Sequence, residues 1–259
     1  MKTILIKIGG SILNEESTIL SLCKDIKNIS LAGYKIVLVH GGGKAINEAL
    51  AIYGIESEFI EGLRVTSKEA MKVIEMVLCG QVNQLFVRQL THIGVKAIGL
   101  SGVENQMLLC DVYSKEHGYV GNVKTVNPDF LNHLLKSFNS IPVIATLGID
   151  KSGNALNINA DIAASHIANA LCVDQLLYLT DQEGIYNKEG KFFKHLSREN
   201  LEQLINNSIV SGGMLVKVKA VLTSLRAGLK EIGILNGRQN QILTHAILNK
   251  QRVGTLCTL

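Results

Sequence analysis

Residues 3–10 read Thr-Ile-Leu-Ile-Lys-Ile-Gly-Gly, and residues 35–43 read Lys-Ile-Val-Leu-Val-His-Gly-Gly-Gly. Each stretch is an apolar, β-branched run that ends in a glycine cluster. The patterns that follow, near 15–32 and 44–53, have the spacing of helices. A strand that passes through a glycine turn into a helix is the repeating unit of a parallel sheet. These two stretches therefore predict an α/β fold whose first strand begins at Thr3.

The same alternation runs along most of the chain. Helical spacing recurs near 67–92, 129–138, 161–172, 197–207, 213–228 and 239–249. Such alternation pairs strands in parallel and places the connecting helices on both faces of the sheet. The predicted strands are Thr3 to Ile8, Lys35 to Val39, Ala97 to Leu100, Pro142 to Thr146, Gln175 to Leu179 and Glu231 to Leu235.

Two places break this rhythm. Residues 106–126 contain two short apolar runs and predict an antiparallel hairpin beside the main sheet, and Ser152-Gly153-Asn154 predicts a second hairpin turn. No linker is rich in Pro, Gly or Ser, so two lobes would share one continuous sheet. A helix ends near Cys172, which divides the chain into a predicted lobe over residues 1–172 and another over residues 173–259.

The composition is that of a globular protein with an aliphatic core. Of 259 residues, 47% are hydrophobic, 19% are charged and 5% are aromatic, which argues against long disorder. The net charge of +4 is scattered, unlike the basic face of a nucleic-acid-binding protein. No stretch approaches the ~20 apolar residues of a membrane helix. The five cysteines form no CxxC pair, so we expect reduced thiols and a cytoplasmic protein.

The two glycine clusters are the first candidates for chemistry. Glycine lets backbone N–H groups approach an anion, and a following helix N-terminus favours negative charge. At the ends of strands in one parallel sheet, both clusters would face the ligand crevice, which indicates phosphate binding. Neither is a standard phosphate motif, because Lys44 is followed by Ala45 rather than Ser or Thr, and Ile46 stands where GxGxxG needs its last glycine.

Four charged residues stand out beside these clusters. Lys7 ends an apolar strand, where a lysine usually protects a sheet edge, but the adjacent glycines would turn its ammonium into the crevice. Asp161 lies in the first turn of a helix that Asn159 caps, and it could hold one or more lysines. Lys217 lies one turn into a later helix, and Arg64 could grip a carboxylate, although each alone is typical of a surface charge. The seven histidines show no metal-ligand spacing, so we predict no metal held by the protein itself.

Taken in order, the motifs resemble those of the amino acid kinase family, in its acylglutamate branch. The Gly-Leu-Arg-Val-Thr and Asn-x-Asn-Ala-Asp segments are specific to that branch, whereas the glycine loops occur across the family. The match runs from the first strand to the final residues. The segments are Lys7-Ile8-Gly9-Gly10, Val39-His40-Gly41-Gly42-Gly43, Gly62-Leu63-Arg64-Val65-Thr66, Asn157-Ile158-Asn159-Ala160-Asp161, Thr180-Asp181, Gly213-Met214-Leu215-Val216-Lys217 and Gly254-Thr255.

The resemblance implies a three-layer αβα sandwich with an amino-terminal acceptor lobe and a carboxy-terminal ATP lobe. The implied reaction transfers the γ-phosphoryl group of ATP to the side-chain carboxylate of N-acetyl-L-glutamate, a step of arginine biosynthesis. By position, Lys7 and Lys217 would stabilise the charge on the phosphoryl group, and Asp161 would orient both lysines. Such a site needs positioning and charge but no base, because the acceptor carboxylate is already ionised at neutral pH.

The resemblance also implies the binding residues and the assembly. Gly42 and Gly43 would meet the acceptor, with Arg64 on its α-carboxylate and Asn157 on its amide region. Mg²⁺ would bridge the phosphates of ATP. A start directly at the first strand favours a homodimer that arginine does not inhibit. The nucleotide residues would be Gly9, Gly10, Asp181, Gln182, Glu183, Gly184, Ile185, Tyr186, Ile209, Val210 and Ser211.

Two alternatives stay open. The acceptor could be N-succinylglutamate or an acylated aminoadipate, because a one-carbon change in such a pocket is worth only about 1–3 kcal/mol. The chain could instead be a non-catalytic amino-acid-binding regulator on the same fold, although a mere binder has no need of two lysines and Asp161. Carbamate, uridylate and aspartate kinases share the glycine loops, but the segment around Arg64 argues against them.

Overall fold

The computed structural model describes residues 2–259, and Met1, where the predicted first lobe begins, lies outside the described residues. The strands are β1 (Thr3–Ile8), β2 (Lys35–His40), β3 (Phe59–Ile60), β4 (Leu63–Arg64), β5 (Ala97–Ser101), β6 (Leu108–Val112), β7 (Gly121–Val126), β8 (Ile141–Ala145), β9 (Leu147–Ile149), β10 (Ala155–Asn157), β11 (Gln175–Thr180), β12 (His195–Ser197), β13 (Glu231–Asn236) and β14 (Thr255–Thr258). The α-helices are α1 (Glu16–Leu31), α2 (Gly43–Ile52), α3 (Lys68–Glu75), α4 (Asn83–His92), α5 (Asp129–His133), α6 (Ala160–Leu171), α7 (Arg198–Asn206) and α8 (Gly212–Arg226). The 3-10 segments are Gly10–Asn14 and Glu104–Gln106, and the π-helical segments are Met76–Val82, Leu134–Phe138 and Thr244–Leu248.

Eight strands form the central sheet in the order β12-β14-β13-β11-β1-β2-β8-β5. Neighbouring strands are parallel except β13 and β14, which are antiparallel. Side chains alternate between the two faces, so in β1 Ile4, Ile6 and Ile8 enter one hydrophobic core and Leu5 enters the other. Helices α1 to α4 cover the first face, and α6 to α8 cover the second. The predicted αβα sandwich with a mainly parallel, open sheet is confirmed.

The two predicted hairpins form a smaller sheet beside the main one. Strands β6 and β7 pair in antiparallel register within residues 106–126, and β9 pairs with β10. Gly153 has a φ of +84° in the turn between β9 and β10, a conformation that favours glycine. The four strands run in the order β10-β9-β6-β7. Both hairpin predictions are confirmed.

Other details differ from the sequence-based expectations. The predicted helix over residues 67–92 is present, but Met76–Val82 interrupts it as a π-helical segment. The predicted helix over residues 239–249 is present in shortened form, since only residues 242–248 are helical and Thr244–Leu248 forms a π-helical turn. Strands β3, β4, β12 and β14 were not predicted, because runs of 2 to 4 residues are too short to show a period. Among the described residues, no helix is long and apolar enough to cross a membrane.

The order of strands decides where a ligand can bind. From β1 the chain crosses to β2 on one side, and later returns to β11 on the other side of β1. A crevice opens outside the carboxyl ends of strands at such a change of direction. The loops that follow β1, β2 and β11 therefore meet there, and they carry both glycine clusters and the segment that begins at Asp181.

Candidate active site

The two glycine loops touch at the carboxyl ends of β1 and β2. A Cβ on Gly10 would lie 2.8 Å from the backbone nitrogen of Gly43, so only glycine permits this approach. Gly9 plays a different part from the phosphate binding expected of it. Its N–H donates to the carbonyl of Leu179 at 3.0 Å, so that donor joins β1 to β11 and is not free for a phosphate.

Lys7, Asp161 and Lys217 come together in one buried cluster. The Lys7 ammonium lies 2.7 Å from Asp161 Oδ1. The Lys217 ammonium donates to Oδ1 at 2.9 Å and to Oδ2 at 2.8 Å. Lys7 and Lys217 are each 6% exposed, so neither is the solvated surface lysine that its position alone would suggest. One carboxylate thus holds two ammonium groups side by side, as the sequence predicted.

Local structure explains how the three side chains meet. Lys7 points to the same face of the sheet as Leu5, and α6 and α8 pack on that face. The Asn159 side chain caps α6 by accepting from the N–H groups of Asp161 at 2.9 Å and Ile162 at 3.3 Å. This cap fixes Asp161 in the first turn of the helix, directly above the end of β1.

The electrostatics of the cluster follow from burial and mutual contact. Burial alone would raise the pKa of Asp161, but the two adjacent ammonium groups outweigh it and hold that pKa well below its usual value. Burial, together with repulsion from Lys217, lowers the pKa of Lys7 to about 8 against the attraction of Asp161. At neutral pH the Asp161 carboxylate is ionised and Lys7 is largely protonated. The cluster can therefore present positive charge to an anion.

A cavity of about 440 Å³ opens beside Lys7, within the size range of small-molecule sites. Its lining includes Gly42, Gly43, Arg64 and Asn157, all expected to meet the acceptor. The Asn157 amide donates to Thr66 Oγ1 at 3.3 Å, which fixes its orientation. The structure therefore brings together the four predicted acceptor residues and Lys7, one of the two lysines predicted to be catalytic.

Arg64 is more tightly held than a surface arginine. It is 7% exposed, and its Nη2 donates to Asn47 Oδ1 at 2.6 Å while its Nη1 donates to Ser57 Oγ. Its guanidinium carbon lies 4.6 Å from the centre of the Phe59 ring. Asn47, Ser57 and Phe59 were not singled out from the sequence. Asn47 alone offered a signal, since it lies four residues after Gly43 and so on the same face of α2.

The predicted nucleotide residues of the second lobe range from exposed to fully buried. Asp181 and Gln182 are exposed after β11, and Ser211 is exposed immediately before α8. The Glu183 carboxylate is clamped by the amides of Asn236 and Gln239, each at 2.7 Å. Ile185 is 0% exposed and Val210 is 7% exposed, and both side chains pack in the hydrophobic core rather than line a site. Gly184 is buried, and Tyr186 and Ile209 are half-buried.

The next question is whether protein side chains near this site could hold a metal ion. In the part of the chain that the structure describes, no three His, Cys, Asp or Glu side chains group in a way that could hold a metal ion. Both oxygens of the Asp161 carboxylate are engaged by lysines. A cation at this site would therefore need oxygen ligands from elsewhere, such as the phosphates of a nucleotide.

The comparison with known proteins agrees with the geometry. The model of the amino acid kinase family matches residues 2–236. An acetylglutamate kinase from Clostridioides difficile (strain 630) is 39% identical, with 98% of this chain and 90% of the relative covered. One from Citrifermentans bemidjiense is 40% identical, with 98% and 91% covered. The crystal structure of smu.665 from Streptococcus mutans has a TM-score of 0.85 at 31% identity, covering 99% of this chain and 98% of that one. The chain therefore belongs to the amino acid kinase family.

Proposed function

We propose that this protein transfers the γ-phosphoryl group of ATP to the side-chain carboxylate of N-acetyl-L-glutamate, a step of arginine biosynthesis. The observation that carries the proposal is the pair of ammonium groups on Asp161, one of which borders the cavity that Arg64 and Asn157 also line. Relatives named acetylglutamate kinase, 39% and 40% identical over 98% of this chain, support this acceptor.

The reaction follows from the charges in the cluster. An oxygen of the acceptor carboxylate forms a bond to the γ-phosphorus, the bond to the β,γ-bridging oxygen breaks, and ADP leaves with the electron pair. Lys7 and Lys217 stabilise the negative charge on the phosphoryl oxygens during transfer, while Asp161 holds both ammonium groups in place. No proton is removed from the acceptor, so the site needs no histidine base.

The cavity lining supplies the selectivity for the acceptor. The Arg64 guanidinium forms charge-assisted hydrogen bonds to the α-carboxylate, and its neighbours fix its plane. The Asn157 amide contacts the acyl amide. Gly42 and Gly43 line the cavity at the start of α2, where they meet the side-chain carboxylate that receives the phosphoryl group. These contacts together orient the acceptor before transfer.

The nucleotide would lie in the second lobe. Residues 173–259 contribute the segment after β11 and the start of α8, and residues 1–172 contribute the acceptor cavity. Gly10 would approach the phosphates, with the exposed Asp181 and Ser211 nearer the nucleoside. Mg²⁺ would bind through the phosphate oxygens and lower their charge. We place the enzyme in the cytoplasm, where ATP is available.

We further propose a homodimer. Strand β5 is the last strand of the central sheet, so among residues 2–259 no further strand pairs with its outer edge. The segment Met76–Val82 packs against β5, and Met76 is 52% exposed. Light scattering after size exclusion should give twice the chain mass, and Met76→Lys should shift the protein toward monomer at low concentration. A monomeric mass for the unmodified protein at micromolar concentration would contradict the dimer.

An assay that traps the acyl phosphate with hydroxylamine tests the function. With ATP and Mg²⁺, N-acetyl-L-glutamate should give a hydroxamate, and N-succinyl-L-glutamate should give less at equal concentration. Glutamate without an acyl group is the matched control and should give almost none. If succinylglutamate is preferred, the acceptor assignment is wrong but the chemistry stands. If no acceptor gives product, the chain is a binding protein and the proposal fails.

A further inference from the structure

A buried polar pair lies directly behind the second glycine loop. His40 ends β2 and is 0% exposed, and Asn83 begins α4 and is 2% exposed. His40 Nδ1 lies 3.0 Å from the carbonyl oxygen of Gly41, and His40 Nε2 lies 3.0 Å from Asn83 Nδ2. Neither side chain lines the acceptor cavity, so any role in catalysis must act through the loop.

The neighbours of Asn83 determine which ring nitrogen of His40 carries the proton. Asn83 Nδ2 lies 2.8 Å from the carbonyl oxygen of Val143 and 3.2 Å from that of Leu100. Two carbonyl oxygens accept only, so the nitrogen of the amide must face them and donate. The amide nitrogen has two hydrogens for these three neighbours and cannot itself accept, so His40 Nε2, 3.0 Å away, must be an acceptor that shares one of the two hydrogens. Nδ1 is left with the proton, and it donates to Gly41.

This bond fixes the direction of the next N–H group. In a trans peptide the C=O and the following N–H point in opposite directions, and no cis peptide occurs among residues 2–259. With the Gly41 carbonyl held toward His40, the Gly42 N–H points away from the core. The Gly42 nitrogen lies 3.6 Å from where a Cβ of Gly10 would be, so this N–H lies between the two glycine loops. No backbone carbonyl among the described residues accepts from it.

We propose that His40 and Asn83 are positioning residues that hold the Gly42 N–H toward the oxygens that gain charge during phosphoryl transfer. The inference rests on the proposed kinase function and extends it to two residues outside the cavity. A donor of this kind is effective because it is oriented before the reaction begins. Burial lowers the pKa of His40 to about 4, so the ring stays neutral at physiological pH and keeps its single proton.

Two amide substitutions of His40 separate the roles of its nitrogens. In His40→Asn the side-chain nitrogen can take the place of Nδ1 and still donate to Gly41. In His40→Gln the amide lies near the position of Nε2, so contact with Asn83 can persist while the bond to Gly41 is lost. We expect His40→Gln to lower kcat by about 100-fold, and His40→Asn by less than about 5-fold. The KM for the acceptor should change little in either variant, because the contact strengthens in the transition state.

Both variants bury one amide, so a purely structural role predicts equal losses of kcat and of thermal stability. Equal kcat in the two variants, or a loss confined to KM, would overturn the proposal. Absence of turnover in the unmodified protein would instead contradict the proposed function. Comparing kcat of the two variants with kcat of the unmodified protein therefore shows whether the positioning role or the kinase function itself is wrong.

Histidine-selective ¹⁵N NMR of the unmodified protein tests the geometry without any assay of activity. We expect His40 to be the neutral Nδ1–H tautomer at pH 7, and Asn83→Ala to give a mixture of tautomers. Asn83→Ala should also lower kcat by about 10-fold, which is an intermediate loss because the Nδ1–H form is still populated. An Nε2–H tautomer in the unmodified protein would exclude the orientation of Gly41 that the proposal needs.

Discussion

Asp161 balances only one of the two lysine charges that contact it. The remaining positive charge is what a transferring phosphoryl group would meet. We therefore expect Lys7→Ala and Lys217→Ala each to lower kcat by about 100- to 1000-fold, with less than about a 3-fold change in the KM for the acceptor. Steady-state kinetics measure both constants, and thermal unfolding checks that the variants fold. Near-normal turnover in either variant would refute the assigned roles.

The lowered pKa of Lys7 predicts how activity depends on pH. The ammonium has a pKa of about 8, below its usual value, because it is buried and lies beside Lys217. Deprotonation as the pH rises through about 8 removes the charge, so kcat/KM for ATP should fall about tenfold per pH unit above it. In Lys7→Arg the charge persists, so the alkaline limb should disappear even if turnover is lower. A flat profile for the unmodified protein up to about pH 10 would contradict this.

Arg64 and its neighbour Asn47 give a graded prediction for acceptor binding. Arg64→Ala should raise the acceptor KM about 100-fold, because a buried charge-assisted contact is lost, with a smaller effect on kcat. Asn47→Ala keeps the guanidinium but removes the 2.6 Å bond that orients it, so a rise of about 5- to 10-fold is expected. The KM for ATP is the internal control and should be unchanged. An Asn47→Ala value equal to that of the unmodified protein would show that Arg64 needs no such support.

The functional residues that could be predicted from the sequence are those that belong to a recognisable motif. Lys7, Asp161 and Lys217 were predicted to meet, and they do. Asn83 was not predicted, because its partner His40 lies 43 residues away and nothing local marks a buried amide. Gly9 was assigned to phosphate, yet its N–H bonds to β11, since the sequence does not show which glycine in a pair packs and which remains free.

At the level of elements, the β3–β4 hairpin reaches across to the start of α8. Gly62 at its tip has a φ of +81°, and a Cβ there would lie 3.1 Å from Val216 Cγ2. Gly54, with a φ of +66° and nothing within 4 Å, shares the backbone conformation but not the contact. Comparing the same substitution at Gly54 and at Gly62 therefore distinguishes the effect of backbone strain from the effect of the contact between the hairpin and α8.

Gly54→Ala and Gly62→Ala should each lower the free energy of unfolding by about 1–2 kcal/mol through left-handed backbone strain. Only Gly62→Ala should also raise the acceptor KM, by about 5-fold or more, because Leu63 and Arg64 would move with the hairpin. Chemical denaturation and steady-state kinetics measure the two effects. A similar KM in both variants would show that the hairpin tip is not coupled to the cavity.

Long elements were predictable and short or irregular ones were not. The six strands with apolar runs were found within one residue at most of their ends, as in β8, which begins at Ile141 instead of Pro142. The π-helical segment Met76–Val82 has the same amphipathic pattern as the helices beside it, so periodicity alone could not distinguish it. Strand β14 is held between β12 and β13 by hydrogen bonds to both. It therefore depends on pairing in the folded sheet, which the local sequence does not show.

Across the whole molecule, distant segments are joined at a few buried polar contacts. The Asp25 carboxylate on α1 is 2% exposed and accepts from the N–H of Leu243 at 3.0 Å and from Thr244 Oγ1 at 2.6 Å. These bonds tie the first helix to the carboxy-terminal region, 218 and 219 residues along the chain. Asp174 forms a similar long-range contact at the surface, where its Oδ2 accepts from the N–H of Thr3 at 2.7 Å.

Asp25→Ala should therefore lower the free energy of unfolding by about 2–3 kcal/mol, because a buried N–H and a half-buried hydroxyl both lose a charged acceptor. Asp174→Ala is the matched control and should lose less than about 1 kcal/mol, since water replaces the carboxylate. Asp25 does not line the acceptor cavity, so kcat at 25 °C should stay within about 2-fold in both variants. Urea denaturation followed by circular dichroism gives the free energies. Equal losses in the two variants would mean that the ends of the chain are held by apolar packing alone.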